Sequence, residues 1–154
     1  MAQLHEQTRW IIRRSKLMVG PNDDHAIDVA LNSGADAVVL DMSGSDGDQE
    51  RMPIAGTVKQ AVSKLAHRGM DILVWLNELT AIEDLELLVQ PGLTGVLLLA
   101  ETREDVWKVD RALTAQELAK GIPMGTIQIE LVISSARAVL DLFSIVEASP
   151  RIVC

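Results

Sequence analysis

The chain has 154 residues, of which 48% are hydrophobic and 23% charged, and it carries a formal net charge of −8. This composition is typical of a globular domain with an aliphatic core and excludes an intrinsically disordered chain. The negative charge argues against nucleic-acid binding, which needs a clustered basic surface, and no apolar run approaches the ~20 residues that span a bilayer.

The N-terminal segment, Met1 to Lys16, is basic. Its cationic residues surround Trp10-Ile11-Ile12 and are Arg9, Arg13, Arg14 and Lys16. A targeting peptide or a membrane-surface helix can have such a composition, but Glu6 and the lack of a cleavage site argue against both. We predict instead a short helix or arm that leads into the first strand. Since the single Cys154 gives no sign of an oxidising compartment, we expect a cytoplasmic protein that binds no membrane.

Short apolar runs rich in Val, Ile and Leu recur along the rest of the chain. They cover residues 17–19, 37–40, 72–76, 96–99, 127–133 and 152–154. Runs of this length and composition predict strands that are buried on both faces, as the strands of parallel sheets are.

Segments with helical periodicity separate these runs, at residues 23–33, 54–67, 81–89, 103–119 and 135–147. Glycine or proline follows most of them, at Gly34, Gly69, Pro91-Gly92 and Gly121 with Pro123. The repeating βα unit predicts an α/β fold with a parallel sheet, either a barrel or a doubly wound sheet. No glycine-rich phosphate loop follows a strand, which disfavours a nucleotide-binding domain.

Several segments together resemble the citrate lyase β-subunit/HpcH–HpaI aldolase family. They are residues 14–19, the run Ser-Gly-Ala-Asp-Ala-Val-Val-Leu-Asp at 33–41, Val-Trp-Leu-Asn at 74–77, residues 83–86, 91–96 and 135–140, and Ala-Ser-Pro-Arg at 148–151. The resemblance implies one partial (β/α)8 TIM-barrel domain over residues 1–154, with about five βα units and a sixth strand. It also implies carbon–carbon lyases or aldolases that act on small carboxylate or acyl-CoA substrates, usually with magnesium.

In such barrels the chemistry lies at the carboxyl ends of the strands. The resemblance places the family's glutamate after the second strand at Ser43, its third-strand arginine at Trp75, its fourth-strand lysine at Ala100 and its metal-binding glutamate at Ser134. It leaves three family-like residues in place, Asp41, Asn77 and Arg137. Magnesium prefers carboxylates, which two serines do not supply, and an indole cannot replace a guanidinium fork. We therefore expect no metal site and no resident cofactor, and we assign no catalytic residue.

Glu130 offers an alternative register, in which it would join Asp41 as a metal ligand. In the main register, period-two alternation turns residues 127, 129, 131 and 133 toward the helices and residues 128, 130, 132 and 134 toward the barrel lumen. Glu130 would then lie well below the mouth of the barrel. There we expect a hydrogen-bonded lumen residue rather than a catalytic group.

The roles of the other candidate side chains have alternative interpretations. Trp75 either stacks on a planar ligand or fills the volume left by the arginine. Arg14 and Arg137 are candidates for binding a substrate carboxylate, although Arg137 could instead tie strand ends together. Ser43 and Ser134 lack a histidine placed to activate them, because the three histidines fall in the N-terminal arm and in two helices.

Two acidic segments have simple explanations. The loop 41–50 carries Asp41, Asp46, Asp48 and Glu50 between glycines and could hold a cation, but a solvated loop is the plainer interpretation. The run from Glu101 to Asp105 predicts a helix start with Thr102 as N-cap and a capping box.

A barrel with only six strands exposes the edges of its first and last strands and half covers lumen side chains such as Val39, Leu73 and Leu98. We expect either a piece of a longer product, a wall completed by another chain or by self-association, or a domain adapted to an open sheet. The functional hypothesis is a catalytically degenerate family member. The alternative is a non-catalytic interaction or regulatory subunit derived from the barrel.

Overall fold

A computed structural model describes residues 13–42, 48–76 and 81–153 of the chain. Strands and helices alternate through most of this part. The elements are β1 Lys16–Val19, α1 Asp24–Asn32, β2 Ala37–Asp41, α2 Asp48–Ala66, β3 Asp71–Trp75, α3 Ala81–Leu88, β4 Gly95–Leu99, α4 Arg103–Ala119, β5 Gln128–Val132, α5 Ala136–Leu140 and α6 Leu142–Val146. The predicted alternation of strands and helices is therefore confirmed.

The five strands form one parallel sheet in the order β1-β2-β3-β4-β5, so that each strand pairs with the next in sequence. The sheet is not closed. This is the α/β architecture of an incomplete (β/α)8 barrel, as predicted. The sixth predicted strand is reduced to a single parallel bridge between Ile129 and Ile152, flanked by the hydrogen bond from Val153 N to Ile129 O at 3.0 Å.

The helices cover one face of the sheet and build the main core with it. The strand residues on this face include Val19, Val38, Leu40, Ile72, Val74, Val96, Leu98 and Ile129, and Ile127 joins them just before β5. The alternation predicted for β5 is confirmed, because Ile127 and Ile129 pack on this helix side. The expectation that Leu98 faces the lumen is wrong, since Leu98 belongs to the helix-side core and its neighbour Leu97 faces the other way.

The opposite face of the sheet, which we call the inner face, carries a second apolar cluster of Ala37, Val39, Leu73 and Leu97. Val39 and Leu73 are buried, with 1% and 0% of their surfaces exposed, so the expectation that they are half covered is wrong. Trp75 and Val132 pack against this cluster and contribute to its cover.

An ion pair across the inner face shows how strongly the sheet curves. Lys16 of β1 reaches Glu130 of β5, with Nζ 2.5 Å from Oε2. In a flat sheet, four spacings of about 4.8 Å would separate these strands by about 19 Å. The two extended side chains span only about 11 Å between them. The sheet must therefore curl toward a barrel for this contact to form.

A buried arginine ties the end of the described chain to α4 and β5. The Arg151 guanidinium donates to Asp110 at 2.6 Å, to both oxygens of Glu117 at 2.9 and 2.7 Å, to Thr114 Oγ1 at 2.8 Å and to Ile127 O at 3.0 Å. Burial acts to raise the pKa of Glu117, but Arg151 and the amides of residues 125 and 127 outweigh it, so this pKa lies below its ordinary value. The network closes the last βα unit against the sheet.

The last predicted helix, over residues 135–147, is broken. Asp141 has φ −93° and ψ 8°, outside the helical range, and divides the segment into α5 and α6. The predicted stop at Gly69 is confirmed, because its φ of 72° is a conformation that only glycine adopts without strain. None of the helices in the described part is both long and apolar enough to cross a membrane.

Candidate functional site

The carboxyl ends of the parallel strands meet at one edge of the sheet, which we call the carboxyl edge. Asp41 at the end of β2 is paired in register with Trp75 at the end of β3. Leu99 at the end of β4 is paired with Val132 at the end of β5. The residues that follow these strands therefore lie along a common edge, where a barrel of this type carries its chemistry.

Two of the family-equivalent positions at this edge carry apolar groups. Trp75 is partly buried and packs against the inner-face cluster, so its indole occupies space on the concave side of the sheet. Ala100 is fully buried within the helix-side core. Neither side chain offers a charge or a metal ligand to this edge.

The remaining family-equivalent positions divide between exposed and undescribed residues. Ser134 follows β5 and is exposed. Arg137 is also exposed, in the first turn of α5 just beyond this edge. Ser43 and Asn77 lie outside the described residues, as do residues 44–47 of the predicted acidic loop. The prediction that this loop extends to residue 50 is wrong, because α2 begins at Asp48.

A carboxylate predicted only as part of a helix start also lies at the carboxyl edge. Glu101 follows β4 and accepts a hydrogen bond from the Ser135 hydroxyl. Ser135 Oγ in turn accepts from the Ala138 amide at 3.0 Å and caps α5. The predicted capping box of Thr102 and Asp105 on α4 is confirmed. The Glu101–Ser135 contact thus joins the ends of β4 and β5, which the sequence spacing could not show.

The described residues do not fit a resident magnesium ion. Asp41 and Glu101 are the two carboxylates that directly end or follow a strand here, and one oxygen of Glu101 is engaged by Ser135. Within the described ranges, no group of three His, Cys, Asp or Glu side chains is arranged to hold a metal. Magnesium is held in proteins through carboxylate oxygens in octahedral geometry, which this set does not provide.

Glu130 lies on the inner face, and its carboxylate is engaged by two cations. Arg13 Nη1 lies 2.6 Å from Oε1 and Lys16 Nζ lies 2.5 Å from Oε2. Arg13 also donates to Asp71 at 2.9 Å and to Gln128 at 3.1 Å. The Arg13 and Glu130 side chains are only 3% and 8% exposed.

This inner-face ion cluster lies toward the amino ends of the strands, because Lys16, Asp71 and Gln128 each begin a strand. Both oxygens of Glu130 are directed to cations of the N-terminal segment. The geometry therefore argues against the alternative in which Glu130 joins Asp41 as a metal ligand. The ion-pair role of Arg13 and Lys16 was not predicted, because in the sequence they stand only as part of a basic arm.

Arg14 lies at the amino edge of the sheet, opposite the carboxyl edge. Its Nη2 is 3.0 Å from Asp36 Oδ1, and the amides of Arg14 and Ser15 also donate to this carboxylate. The hydrogen bond from Arg14 lowers the pKa of Asp36 to about 2, with the Ser15 contacts adding to the effect against a smaller influence of burial. This position does not bring Arg14 to Asp41, Ser134 or Arg137, so the geometry gives no support to substrate binding by Arg14.

Solved structures of two kinds of enzyme have a similar fold. A Haloferax volcanii malate synthase in a lead(II) complex matches with a TM-score of 0.69 and 15% identity, over 96% of this chain and 50% of that chain. The same enzyme with pyruvate and acetyl-CoA gives a TM-score of 0.68 and 13% identity, over 96% and 48%. Citrate synthase SbnG gives a TM-score of 0.59 and 17% identity, over 85% and 55%. This chain therefore spans about half the length of these structures, and identities this low establish the fold alone.

Comparison of the sequence with known families agrees with the fold. Among curated protein sequences, none matches the chain. The family model for HpcH/HpaI aldolase/citrate lyase matches residues 14–154, which is nearly the whole chain. The chain therefore belongs to the HpcH/HpaI aldolase/citrate lyase family.

Proposed function

We propose that this chain is a catalytically degenerate member of its family, which keeps the scaffold of a carbon–carbon lyase without the metal-dependent chemistry. The observation that carries the proposal is the make-up of the carboxyl edge. Trp75, Ala100 and Ser134 stand where the family resemblance places an arginine, a lysine and a metal-binding glutamate. Glu130, the strand carboxylate that could have compensated, is engaged by Arg13 and Lys16.

The physical reason is the charge that carbon–carbon cleavage next to a carbonyl develops. An enolate must be stabilised as it forms, by a divalent cation or by preorganised donors aimed at its oxygen. A buried alanine methyl group and an indole packed on the inner face supply neither. The exposed hydroxyl of Ser134 cannot replace the charge of a carboxylate as a metal ligand.

Such a scaffold can still bind a ligand or a partner without catalysing a reaction. The function that we propose is therefore that of a non-catalytic interaction or regulatory subunit. Arg137, exposed beyond β5, is a cation near the edge that we assign to a small carboxylate or acyl-CoA ligand of the kind that the family resemblance implies. The edge at β1, and the edge beyond β5 where a single bridge to Ile152 takes the place of a sixth strand, are further places where a completing chain or a second copy would add a wall. We propose that the protein acts in the cytoplasm, because its single cysteine cannot form the disulfide framework that is typical of small secreted domains.

The proposal is tested by magnesium binding and by turnover of thioesters. In isothermal titration calorimetry, we expect wild-type protein to bind Mg²⁺ no more tightly than millimolar, and we expect no cleavage of citryl-CoA or malyl-CoA. Micromolar binding of Mg²⁺ by the wild type, or measurable turnover, would overturn the proposal.

A gain-of-function substitution and a matched control test whether Ser134 lies at the position of the family's metal ligand. Ser134→Glu restores a carboxylate at the end of β5 and should tighten Mg²⁺ binding about tenfold, equivalent to about 1.4 kcal/mol. Ser63→Glu adds the same charge at an exposed position on α2 and should leave Mg²⁺ binding unchanged. Equal effects of the two substitutions would show that Ser134 does not belong to the former metal site.

A further inference from the structure

A series of hydrogen bonds connects the start of α4 to the start of α5 at the carboxyl edge. Asp105 accepts from the backbone amides of Glu101 and Thr102, at 3.2 and 2.9 Å. The Glu101 side chain in turn accepts from the Ser135 hydroxyl, and Ser135 Oγ accepts from the Ala138 amide at 3.0 Å. The first turn of α5 is therefore tied to the end of β4 by a side chain, in addition to the pairing of β4 with β5.

The first turn of α5 depends on contacts from outside the helix. α5 has only 5 residues, and helices this short are not stable on their own. Two contacts hold this turn, which are the N-cap bond of Ser135 and the burial of Ala138 in the helix-side core. The arrangement of the turn therefore depends on the direction in which the Ser135 hydroxyl points.

The carboxylate of Glu101 favours one direction of this hydroxyl. A serine side chain has several staggered rotamers, and the N-cap bond needs the rotamer that turns Oγ toward the helix. A hydrogen bond to a carboxylate is roughly twice as strong as one between neutral groups. Glu101 and Ser135 are both half-buried, so water competes less for their bond than it would at an exposed site. The bond to Glu101 and the bond from the Ala138 amide thus favour the same rotamer.

Arg137 is the second residue of α5 and lies exposed just beyond the carboxyl edge. We propose that Glu101 is a positioning residue for Arg137: acting through Ser135, it holds the first turn of α5 so that the guanidinium meets a ligand at this edge. This role rests on the proposed function, which assigns Arg137 to a small carboxylate or acyl-CoA ligand. The affinity for that ligand then depends on a carboxylate that does not need to touch it.

The physical reason is that a cation already in place binds a ligand more tightly than one that must first be ordered. Without the Glu101 carboxylate, α5 keeps its sequence and Arg137 keeps its charge. The turn that carries Arg137 loses one of its two holds, so part of the interaction with the ligand is spent on ordering it. We therefore expect an effect of Glu101 on ligand affinity that passes entirely through Arg137.

Amide hydrogen exchange of the full chain, followed by NMR, tests whether Glu101 holds the turn. Glu101→Ala removes the acceptor of the Ser135 hydroxyl and should speed exchange of the Ala138 amide about fivefold, as expected for a weakened N-cap. Glu101→Gln keeps an acceptor oxygen and removes only the charge, so exchange should stay within about twofold of wild type. The matched control Glu104→Ala removes an exposed carboxylate of the same helix and should leave this exchange unchanged. The amide of Ile129, buried in β5, reports on global unfolding and should exchange equally in all variants.

Isothermal titration calorimetry, with acetyl-CoA and separately malonate as probes, measures the effect on binding. Glu101→Ala should weaken binding of the probe at least about threefold, and Glu101→Gln should bind like the wild type. The double variant Glu101→Ala with Arg137→Ala should bind no more weakly than Arg137→Ala alone, because the two substitutions act on one contact. Additive effects, or equal weakening by Glu101→Gln and Glu101→Ala, would overturn the positioning role, as would unchanged Ala138 exchange in Glu101→Ala.

Two outcomes distinguish failure of this role from failure of the proposed function. Binding that Arg137→Ala weakens and Glu101→Ala does not would overturn the positioning role alone. If neither probe binds the wild type, the assignment of Arg137 to such a ligand is wrong, and the positioning role of Glu101 is overturned with it.

Discussion

Replacing Glu130 with alanine tests whether this carboxylate has a structural role or binds a catalytic metal ion. The substitution removes the two ion pairs that Glu130 makes in the inner-face ion cluster, at 2.6 and 2.5 Å, and leaves an Arg13 side chain that is 3% exposed. Removing one partner of a fully buried pair costs about 3–5 kcal/mol. Because Arg13 keeps Asp71 and Gln128 as acceptors and Lys16 is partly exposed, we expect a smaller loss of about 2–4 kcal/mol. For a domain of this size, that corresponds to a fall in Tm of roughly 5–15 °C.

The assay is urea unfolding followed by circular dichroism, performed with EDTA and again with millimolar MgCl₂. If Glu130 acts through Arg13 and Lys16, the loss of stability is the same in both buffers, since no metal is involved. Asp28→Ala is the matched control, because its ion pair with Lys64 is equally short, 2.6 Å, but largely exposed. It should leave the unfolding midpoint unchanged. A Glu130→Ala protein whose deficit appears only with magnesium would refute the reasoning and restore Glu130 as a metal ligand.

Two further predictions concern the other ion pairs. Glu117→Ala leaves the buried Arg151 without its principal partner and should lower the free energy of unfolding by about 3–5 kcal/mol in urea titrations. The exposed Glu104→Ala on the same helix should change that free energy by no more than about 0.5 kcal/mol, and similar losses for the two would contradict the network. In an NMR titration the Asp36 carboxyl should show a pKa of about 2 and should move back toward about 4 in Arg14→Ala. Since the folded pKa lies below the unfolded value, the contribution of Asp36 to stability is present above about pH 4 and is lost as the pH falls toward 2.

The order and type of the elements could be predicted because buried parallel strands and amphipathic helices have different periods. The face of each strand was harder to predict. In β4, the run from Val96 to Leu99 is apolar at every position, so its sequence carries no alternation that distinguishes Leu97 from Leu98. The pairing of β4 with β3 and β5 determines which of the two leucines faces the helices, and this pairing depends on residues far away in the sequence. The break in the helix at Asp141 could not be predicted either, since aspartate is tolerated within a helix.

At the candidate site, the sequence indicated which family positions had changed, because each position can be compared separately with the residue that the family has there. It could not show what the charged residues bind. Arg13 and Glu130 are 117 residues apart, and only the curvature of the sheet brings them together. The contact between Glu101 and Ser135 likewise depends on the adjacent ends of β4 and β5. Long-range ion pairs of this kind leave no local pattern in the amino-acid order.

The ion pair between Lys16 and Glu130 has a consequence for the order of events during synthesis. Each strand pairs with its sequence neighbour, so β1 to β4 can assemble progressively as they leave the ribosome. The curled shape, in contrast, depends on a contact between residues 114 apart, and Glu130 emerges late. Until then the nascent sheet lacks the charges that hold its two borders toward each other. Its concave apolar surface is then accessible to chaperones, and ribosome-bound chains that stop before β5 should be far more sensitive to protease than chains that include it.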